Sequence, residues 1–207
     1  IVESLSWMSP ATITWIALPI GILGGVSVYL APQDNFGASM LLGGGLLITL
    51  AMALDGLDGP VARATGRVTR WGDYLDHTFD RLLDAVWIIC ISASVFVDDI
   101  VLGLAAAWFT LLGSYMGTQA QSVGLGRNYG GFSRSDRLVT TFVGIAIAAI
   151  MAFNGSPDIE LPSTVSDLIG FGAINPLSAV LLISLVGGIW TFLTRAMSSR
   201  RQLLDGE

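Results

Sequence analysis

Six aspartates lie between residues 55 and 84 of a chain in which only 13% of residues are charged. Asp55 and Asp58 are three residues apart, and Asp76, Asp80 and Asp84 follow one another at intervals of four. Residues at these spacings share one face of a helix. Carboxylates crowded onto facing helices repel one another or take up protons unless cations neutralise them. Because Mg²⁺ and Mn²⁺ prefer such oxygen ligands, the spacing predicts a site for a pair of divalent cations.

Small residues and an arginine accompany the first acidic pair. The small residues are Gly56, Gly59, Ala62, Gly66 and Gly72. Glycine lets a backbone approach a bulky polar ligand such as a nucleotide, although small residues also permit close helix packing in lipid. Arg63 falls on the helical face of Asp55 and Asp58, where its guanidinium could hold a phosphate by two hydrogen bonds. Metal ions beside an arginine suit phosphoryl transfer, because both stabilise charge on the attacking and leaving oxygens.

The composition predicts that membrane helices position these residues. Of 207 residues, 53% are hydrophobic, whereas a soluble domain would have about 25% charged residues. A membrane span needs about 20 mostly apolar residues. Six such stretches occur, at 11–31, 36–54, 74–97, 100–121, 138–153 and 176–197. We therefore predict an all-α integral membrane protein, a six-transmembrane-helix bundle that forms a single domain over residues 1–207.

Two local features of the second stretch lead to further expectations. The ring of Pro60 would clash with the carbonyl of Gly56 in a regular helix, so a kink or break is expected beside the acidic pair. Gly43, Gly44 and Gly45 are interpreted as residues that allow close helix packing.

The charged residues predict the orientation of this bundle. All ten cations are arginines, and they fall in the segments that follow the second, fourth and sixth spans or near the start of the third. Cationic loops stay in the cytoplasm. Both termini and the active site are therefore expected on the cytoplasmic side of the cell (inner) membrane, which also agrees with an even number of spans.

Other counts exclude several classes of site. The formal net charge is −6 and no basic patch is present, which excludes a nucleic-acid partner. Cys90 is the only cysteine, so no disulfide framework or thiolate cluster exists. His77 is the only histidine, which excludes a zinc site built from several histidines.

Residues 55–80 form one ordered motif. It reads Asp55-x2-Asp58-Gly59-x2-Ala62-Arg63-x8-Gly72-x3-Asp76-x3-Asp80. At all eight fixed positions this segment resembles the signature of the CDP-alcohol phosphotransferase family. The resemblance implies a six-helix membrane enzyme, typically a homodimer, that joins a CDP-activated lipid to a small alcohol and releases CMP.

The resemblance also implies roles for the acidic residues. Asp55, Asp58 and Asp76 would bind two Mg²⁺ or Mn²⁺ ions. Asp80 would touch the second ion and would also be the catalytic base that takes the proton from the acceptor hydroxyl. Outside the signature, Asp73 and Asp84 are interpreted either as hydrogen-bonding supports of the ligands or as partners of Arg70 or Arg81. His77 is expected to have a structural role.

The CDP-binding residues follow from the same resemblance. They would be Gly59, Ala62, Arg63, Thr69 and Gly72. A family segment Pro-Asn-x-x-Thr corresponds here to residues 10–14, where the asparagine is replaced by Ala11. Only Thr14 of that segment is therefore assigned to the CDP site.

The loop after the fourth span bears on the acceptor. Residues 130–138 are similar to a Gly-Gly-x-x-Glu-Arg-Pro-Glu-Arg-Leu segment of phosphatidylinositol phosphate synthases and their archaeal counterparts. In that subgroup basic residues hold the phosphate of inositol phosphate, which assigns Arg134, Arg137 and Arg127 to the acceptor phosphate. The alternative is that these arginines are ordinary cytoplasmic anchors. Residues 115–119 lack the Lys and Arg typical of the subgroup, so glycerol phosphate, serine or a neutral polyol also stay open as acceptors.

We therefore predict a phospholipid head-group synthase that uses CDP-diacylglycerol or CDP-archaeol as its lipid donor. A cation transporter is the alternative from a different class, since buried carboxylates also build ion pathways. A pathway should place polar residues at several depths, whereas the intramembrane carboxylates here cluster at one end of the spans. The pattern favours the enzyme.

Overall fold

The computed structural model describes residues 8–126, 130–164, 166 and 172–205. Six helices of 21 residues or more dominate this part of the chain. They are α1 Pro10–Leu30, α2 Asn35–Thr65, α3 Arg70–Ser92, α4 Ile100–Ser122, α5 Arg134–Asn154 and α6 Pro176–Leu204. The predicted spans fall within these helices except at two ends: Ala31 of the first span is the residue after α1, and the third span runs past the end of α3 at Ser92.

Each of the six helices begins at a polar capping residue. In every case the side-chain oxygen of that residue accepts a hydrogen bond from a backbone N–H in the first turn, which satisfies a donor that the helix itself leaves unpaired. The caps are Ser9, Asp34, Thr69, Asp99, Ser133 and Asn175. The short polar segments between the apolar stretches therefore set where the helices start.

Five of these six helices are long and apolar enough to cross a membrane, and α3 is the exception. The acidic residues of the predicted site lower the hydropathy of α3. Large apolar side chains also point outward, with Phe36 69%, Val101 74% and Trp108 67% exposed. Such an outward apolar surface fits a lipid environment rather than water.

A small β-hairpin departs from the all-α prediction. Strands β1 (Ile159–Glu160) and β2 (Ala173–Ile174) pair antiparallel, with Ile159 opposite Ile174. They lie in the connection between α5 and α6, near residues 93–99, because the Asn175 side chain donates to the carbonyl of Phe96. The hairpin therefore belongs to the end of the bundle opposite the acidic residues.

Helix α1 lies between α2 and α3 and packs against both, whereas α2 and α3 scarcely touch each other. The crossing of α1 and α2 is close, since a Cβ at Gly44 would lie 2.8 Å from the carbonyl oxygen of Gly24. A Cβ at Gly45 would meet Ile145 of α5 at 3.0 Å, while Gly43 faces open space. The packing interpretation is therefore confirmed for Gly44 and Gly45 and wrong for Gly43.

Of the kink or break expected at Pro60, the break is wrong and the kink stays a prediction. Helix α2 continues from Asn35 to Thr65 with Pro60 inside it. Bundles of membrane helices tolerate proline because local adjustments and neighbouring groups satisfy the backbone groups that it frees. One unbroken helix therefore presents Asp55, Asp58 and Arg63.

Candidate active site

A short connection between α2 and α3 sets the depth of the acidic residues. Helix α2 ends at Thr65 and is capped by Gly66, whose φ of 65° is a left-handed conformation that glycine adopts without strain. Helix α3 begins after its cap Thr69. Asp58 lies eight residues before Gly66 and Asp76 seven after Thr69. Because each helix residue rises about 1.5 Å, carboxylates on the two helices reach similar depths.

Three of the four predicted metal ligands converge. Asp55, Asp76 and Asp80 each offer an oxygen, and these oxygens lie within 4.8 Å of one another. The Asp55 side chain is 8% exposed and that of Asp80 14%. Carboxylates this close repel one another, and they must either take up protons or be neutralised by cations.

This donor set fits a divalent cation. Its ligands are carboxylate oxygens, the type that Mg²⁺ and Mn²⁺ prefer, and they come from two helices, α2 and α3. Asp58 lies outside the group of three, although it is buried on the same helix as Asp55.

Asp58 is held instead by the first helix. Thr14 Oγ1 of α1 donates a hydrogen bond of 2.6 Å to Asp58 Oδ2, and both residues are buried. A donor to a buried carboxylate stabilises the ionised form and fixes its direction. The structure thus places Thr14 in the site, as the sequence predicts, and shows that it contacts a carboxylate.

Replacing Thr14 with valine should expose the importance of this hydrogen bond. Valine keeps the shape but removes the donor and leaves a buried carboxylate oxygen unpaired, which costs about 1–3 kcal/mol, or roughly a 5- to 150-fold loss in kcat/KM for CMP release. The variant Thr14→Ser keeps the hydroxyl and should stay near the wild-type rate. If the valine variant were as active as the serine variant, Asp58 would not depend on Thr14.

A cleft of about 580 Å³ opens beside these carboxylates, between α1, α2 and α3. This volume lies in the range of small-molecule sites. All six residues assigned to CDP line the cleft, namely Thr14, Gly59, Ala62, Arg63, Thr69 and Gly72. Asp58 and Asp76 line it too, so the cleft reaches the carboxylate cluster.

Two glycines of the motif shape the wall of the cleft. A Cβ at Gly59 would lie 3.3 Å from Arg63 Nη1, so the bare glycine lets this guanidinium lie along the helix. A Cβ at Gly72 would lie 3.2 Å from Thr69 Oγ1, the atom that accepts a hydrogen bond from the Gly72 N–H. Thr69 is therefore the cap of α3 as well as a wall of the cleft.

Arg134 reaches into the carboxylate cluster from α5. Its Nη1 lies 2.6 Å from Asp55 Oδ2 and 2.5 Å from Asp80 Oδ1, and its Nε lies 3.6 Å from Asp84 Oδ1. Its side chain is 19% exposed, and its Nε and Nη2 form no hydrogen bond with the residues described. The guanidinium therefore acts as a counter-cation to several carboxylates.

Arg137 has a different environment from the one that its spacing predicts. Its Nη2 lies 2.7 Å from Asp84 Oδ2, and the two side chains are 9% and 3% exposed. The partner of Asp84 is therefore Arg137, and the expectation that Asp84 pairs with Arg70 or Arg81 is wrong. Arg81 lies 3.5 Å from Asp80 instead. A phosphate clamp formed by Arg134 and Arg137 together would require Arg137 to leave this buried pair.

The remaining predicted residues are placed as follows. Asp73 is exposed and lines the cleft. His77 also lines the cleft, and its Nδ1 lies 3.3 Å from Asp76 Oδ2. Arg127, assigned to the acceptor phosphate, lies outside the described residues.

One arginine that the sequence did not single out lies near this end of the bundle. Arg195 of α6 donates to the carbonyl oxygens of Gly130 and Gly113, and it lies within electrostatic range of Arg137 and Arg81. The only signal in the sequence was its place in a basic segment at the end of the last span. Its position follows from the packing of α6 against α4.

This arrangement combines clustered carboxylates with a cleft wall that bears Arg63 and a second arginine, Arg134, among the carboxylates. Divalent ions at the carboxylates and a guanidinium in the cleft can neutralise charge on the oxygens of a diphosphate. An aspartate at the edge of such a site can accept a proton from a hydroxyl. The geometry therefore suits transfer of a phosphoryl group.

Comparisons with known proteins agree with this chemistry. The chain is 32% identical to the phosphatidylinositol phosphate synthase of Cutibacterium acnes over 177 residues, 81% of this chain and 82% of that protein. It is 35% identical to the archaetidylinositol phosphate synthase of Methanothermobacter thermautotrophicus over 131 residues, 62% of this chain and 67% of that protein.

The fold is also that of a solved membrane enzyme. Two crystal structures of the Mycobacterium tuberculosis phosphatidylinositol phosphate synthase, one with CDP-DAG bound and one in complex with manganese and citrate, match with TM-scores of 0.71 at 22% identity. The matches cover 96% of this chain and 91% and 87% of theirs. The sequence profile of one family, described as CDP-alcohol phosphatidyltransferase, matches residues 7–190. The chain is therefore a transferase that belongs to the CDP-alcohol phosphatidyltransferase family.

Proposed function

We propose that this transferase moves a lipid phosphate from a CDP-linked lipid to inositol phosphate and releases CMP. The convergence of Asp55, Asp76 and Asp80 beside a cleft lined by all six CDP-assigned residues carries this proposal. The names of the two curated relatives support inositol phosphate as the acceptor. One relative is named for a phosphatidyl product and the other for an archaetidyl product. Both CDP-diacylglycerol and CDP-archaeol should therefore be assayed as donors.

We assign donor binding, proton transfer and metal binding to different residues of the site. The CDP moiety would lie in the cleft, with Arg63 against its phosphates and the glycines allowing the backbone to approach. Asp80 would accept the proton of the acceptor hydroxyl, which then attacks the lipid-linked phosphorus as CMP leaves. Two Mg²⁺ or Mn²⁺ ions, held by Asp55, Asp58, Asp76 and Asp80, would neutralise charge on the diphosphate when bound. The manganese in the mycobacterial structure supports this choice of cofactor.

Arg134 is the residue that we assign to the acceptor phosphate. Among the described arginines it lies closest to Asp80, the proposed base, so a phosphate bound to it would hold the acceptor hydroxyl near that carboxylate. Arg195 lies at the same end and supplies positive charge to the region even though residues 115–119 lack cations. Arg137 is assigned to Asp84 instead.

The membrane topology is proposed on the same basis. Six spans require α3 to cross the membrane despite its acidic residues, which the other five helices would shield. The described arginines lie at the end of the bundle that holds the carboxylates, which supports a cytoplasmic site and cytoplasmic termini in the inner membrane. The homodimer that the resemblance implies stays a prediction.

A reconstituted assay tests the reaction and its orientation together. The chain is supplied with Mg²⁺ and either CDP-lipid, and CMP release is measured with inositol phosphate, glycerol phosphate, serine and inositol as acceptors. Inositol phosphate should be preferred, and it should react from the outside of inside-out vesicles but not of right-side-out vesicles, because a phosphate ester does not cross the bilayer. Preference for glycerol phosphate or serine would overturn the acceptor and leave the family chemistry intact.

At saturating Mg²⁺, Arg134→Gln should weaken binding of the acceptor rather than of the donor in this assay. Loss of a charged hydrogen bond to phosphate costs about 1.5–3 kcal/mol, so KM for inositol phosphate should rise roughly 10- to 100-fold while KM for the CDP-lipid stays close to wild type. The matched variant Arg63→Gln should show the reverse pattern, because Arg63 lies in the CDP cleft. Equal effects of both variants on both KM values would contradict these assignments.

A further inference from the structure

Arg134 contacts carboxylate oxygens of Asp55 and Asp80 that a metal ion would also bind. Its Nη1 lies 2.6 Å from Asp55 Oδ2 and 2.5 Å from Asp80 Oδ1. Mg²⁺ binds oxygen at about 2.0–2.1 Å, so an ion on these two oxygens would stand within a few ångströms of the guanidinium. Two cations this close in a poorly hydrated site repel each other strongly. An ion on these two oxygens and the guanidinium of Arg134 therefore compete for Asp55 and Asp80.

The guanidinium of Arg134 also lacks hydrogen-bond partners for some of its nitrogens. Nη1 is its only nitrogen that hydrogen-bonds a described residue, while Nε and Nη2 are buried without such a partner. The contact to Asp80 Oδ1 is ionic, since that oxygen forms no hydrogen bond with the residues described. Arg137, by contrast, holds Asp84 in a pair with both side chains almost fully buried. With the described residues, Arg134 forms one hydrogen bond and Arg137 forms two, while two nitrogens of Arg134 and one of Arg137 are buried without a hydrogen-bond partner. The carboxylates that Arg134 would leave are the ones that a divalent ion can neutralise in its place.

We propose that Arg134 is an exchangeable counter-cation, which holds Asp55 and Asp80 until a divalent ion displaces it. Displacement frees the guanidinium for the phosphate of the acceptor, so metal binding and acceptor binding are linked through one side chain. This inference rests on the proposed function only in that it takes these carboxylates as metal ligands. The ion binds only when Arg134 has left Asp55 and Asp80. If this open arrangement makes up about one tenth of the molecules, the ion binds roughly tenfold more weakly than to a protein that is always open.

The test measures Mn²⁺ binding to the purified chain in detergent micelles, without donor or acceptor, from the electron paramagnetic resonance signal of free Mn²⁺. Arg134→Gln should bind Mn²⁺ about tenfold more tightly than wild type, because the competitor is gone. Arg63→Gln is the matched control, since it removes one positive charge from the same site but Arg63 forms no ion pair with the described residues. The affinity of Arg63→Gln for Mn²⁺ should rise by no more than about twofold to threefold, because Arg63 is exposed and solvent ions screen its charge.

Equal affinity of wild type and Arg134→Gln, or equal gains in both variants, would overturn the exchange. If Arg134→Gln does not fold, Arg134→Lys is tested in its place. The lysine ammonium is a point charge on a shorter side chain and competes less well for the carboxylates, so this variant should bind Mn²⁺ more tightly than wild type. Thermal unfolding gives a second readout, in which the stabilisation by Mn²⁺ should be larger for Arg134→Gln than for wild type. Failure of every variant and of wild type to bind Mn²⁺ would overturn the metal site itself, whereas unchanged affinities with intact binding would overturn only the role of Arg134.

Discussion

Replacing Asp80 with asparagine is expected to lower the rate of CMP release about a thousandfold while the chain stays folded. Asparagine has the same shape but cannot take up the acceptor proton, and general-base catalysis contributes typically about 10²–10⁴ in rate. It also removes one negative charge from a cluster whose oxygens lie within 4.8 Å of one another, so the site binds cations less well.

Asp98→Asn provides the control for this change. Asp98 is exposed at the opposite end of the bundle and has a φ of 49°, a conformation that asparagine tolerates. This variant should match wild type in rate and in thermal unfolding. If Asp80→Asn kept the wild-type rate, a different residue would be the base. If it lost both activity and fold, the rate could not be assigned to proton transfer.

Breaking the pair of Asp84 and Arg137 is expected to cost about 3–5 kcal/mol in the free energy of unfolding. The two side chains meet at 2.7 Å and are 3% and 9% exposed. Removing Arg137 leaves Asp84 inside the bundle with only the 3.6 Å contact to Arg134 Nε among the described residues. Arg137→Met is the direct variant, because methionine fills a similar volume without a charge. Its transition should be measured by circular dichroism in mixed micelles.

A double variant separates the two charges from the packing around them. Arg137→Met combined with Asp84→Leu leaves neither charge unpaired, and replacement of a whole buried pair by apolar residues is often neutral or stabilising. The double variant should therefore recover most of the lost stability. The control is Arg200→Met, at an exposed position of α6, which should change the free energy of unfolding by less than about 0.5 kcal/mol. A double variant as unstable as Arg137→Met would show that packing, and not the unpaired charge, dominates.

The acidic motif was predictable because its geometry is local. The helical spacing of Asp55 and Asp58, the turn at Gly66 and the cap at Thr69 are all properties of one short stretch of chain. Once two helices are joined this tightly, their carboxylates must reach similar depths. The cleft that gathers the six CDP-assigned residues follows from the same hairpin together with α1.

Details of the helices were less predictable. A kink or break was expected at Pro60, but α2 does not break there, because a bundle supports the helix through neighbours that a local rule does not include. The hairpin of β1 and β2 depends on pairing between segments more than ten residues apart. Asp58 stands outside the group of three carboxylates and bonds Thr14 of α1 instead, a contact across 44 residues of chain.

Periodicity, hydropathy and spacing are properties of the chain as a string of residues, so they were enough to predict apolar helices and clustered aspartates with an arginine at one end of them. Which charges neutralise one another depends instead on how the helices pack. Arg134 and Arg137 are three residues apart on one face of α5, yet one meets Asp55 and Asp80 and the other meets Asp84. Partners this remote in sequence depend on how whole helices pack, and a long arginine side chain pairs with whichever carboxylate the packing leaves unpaired.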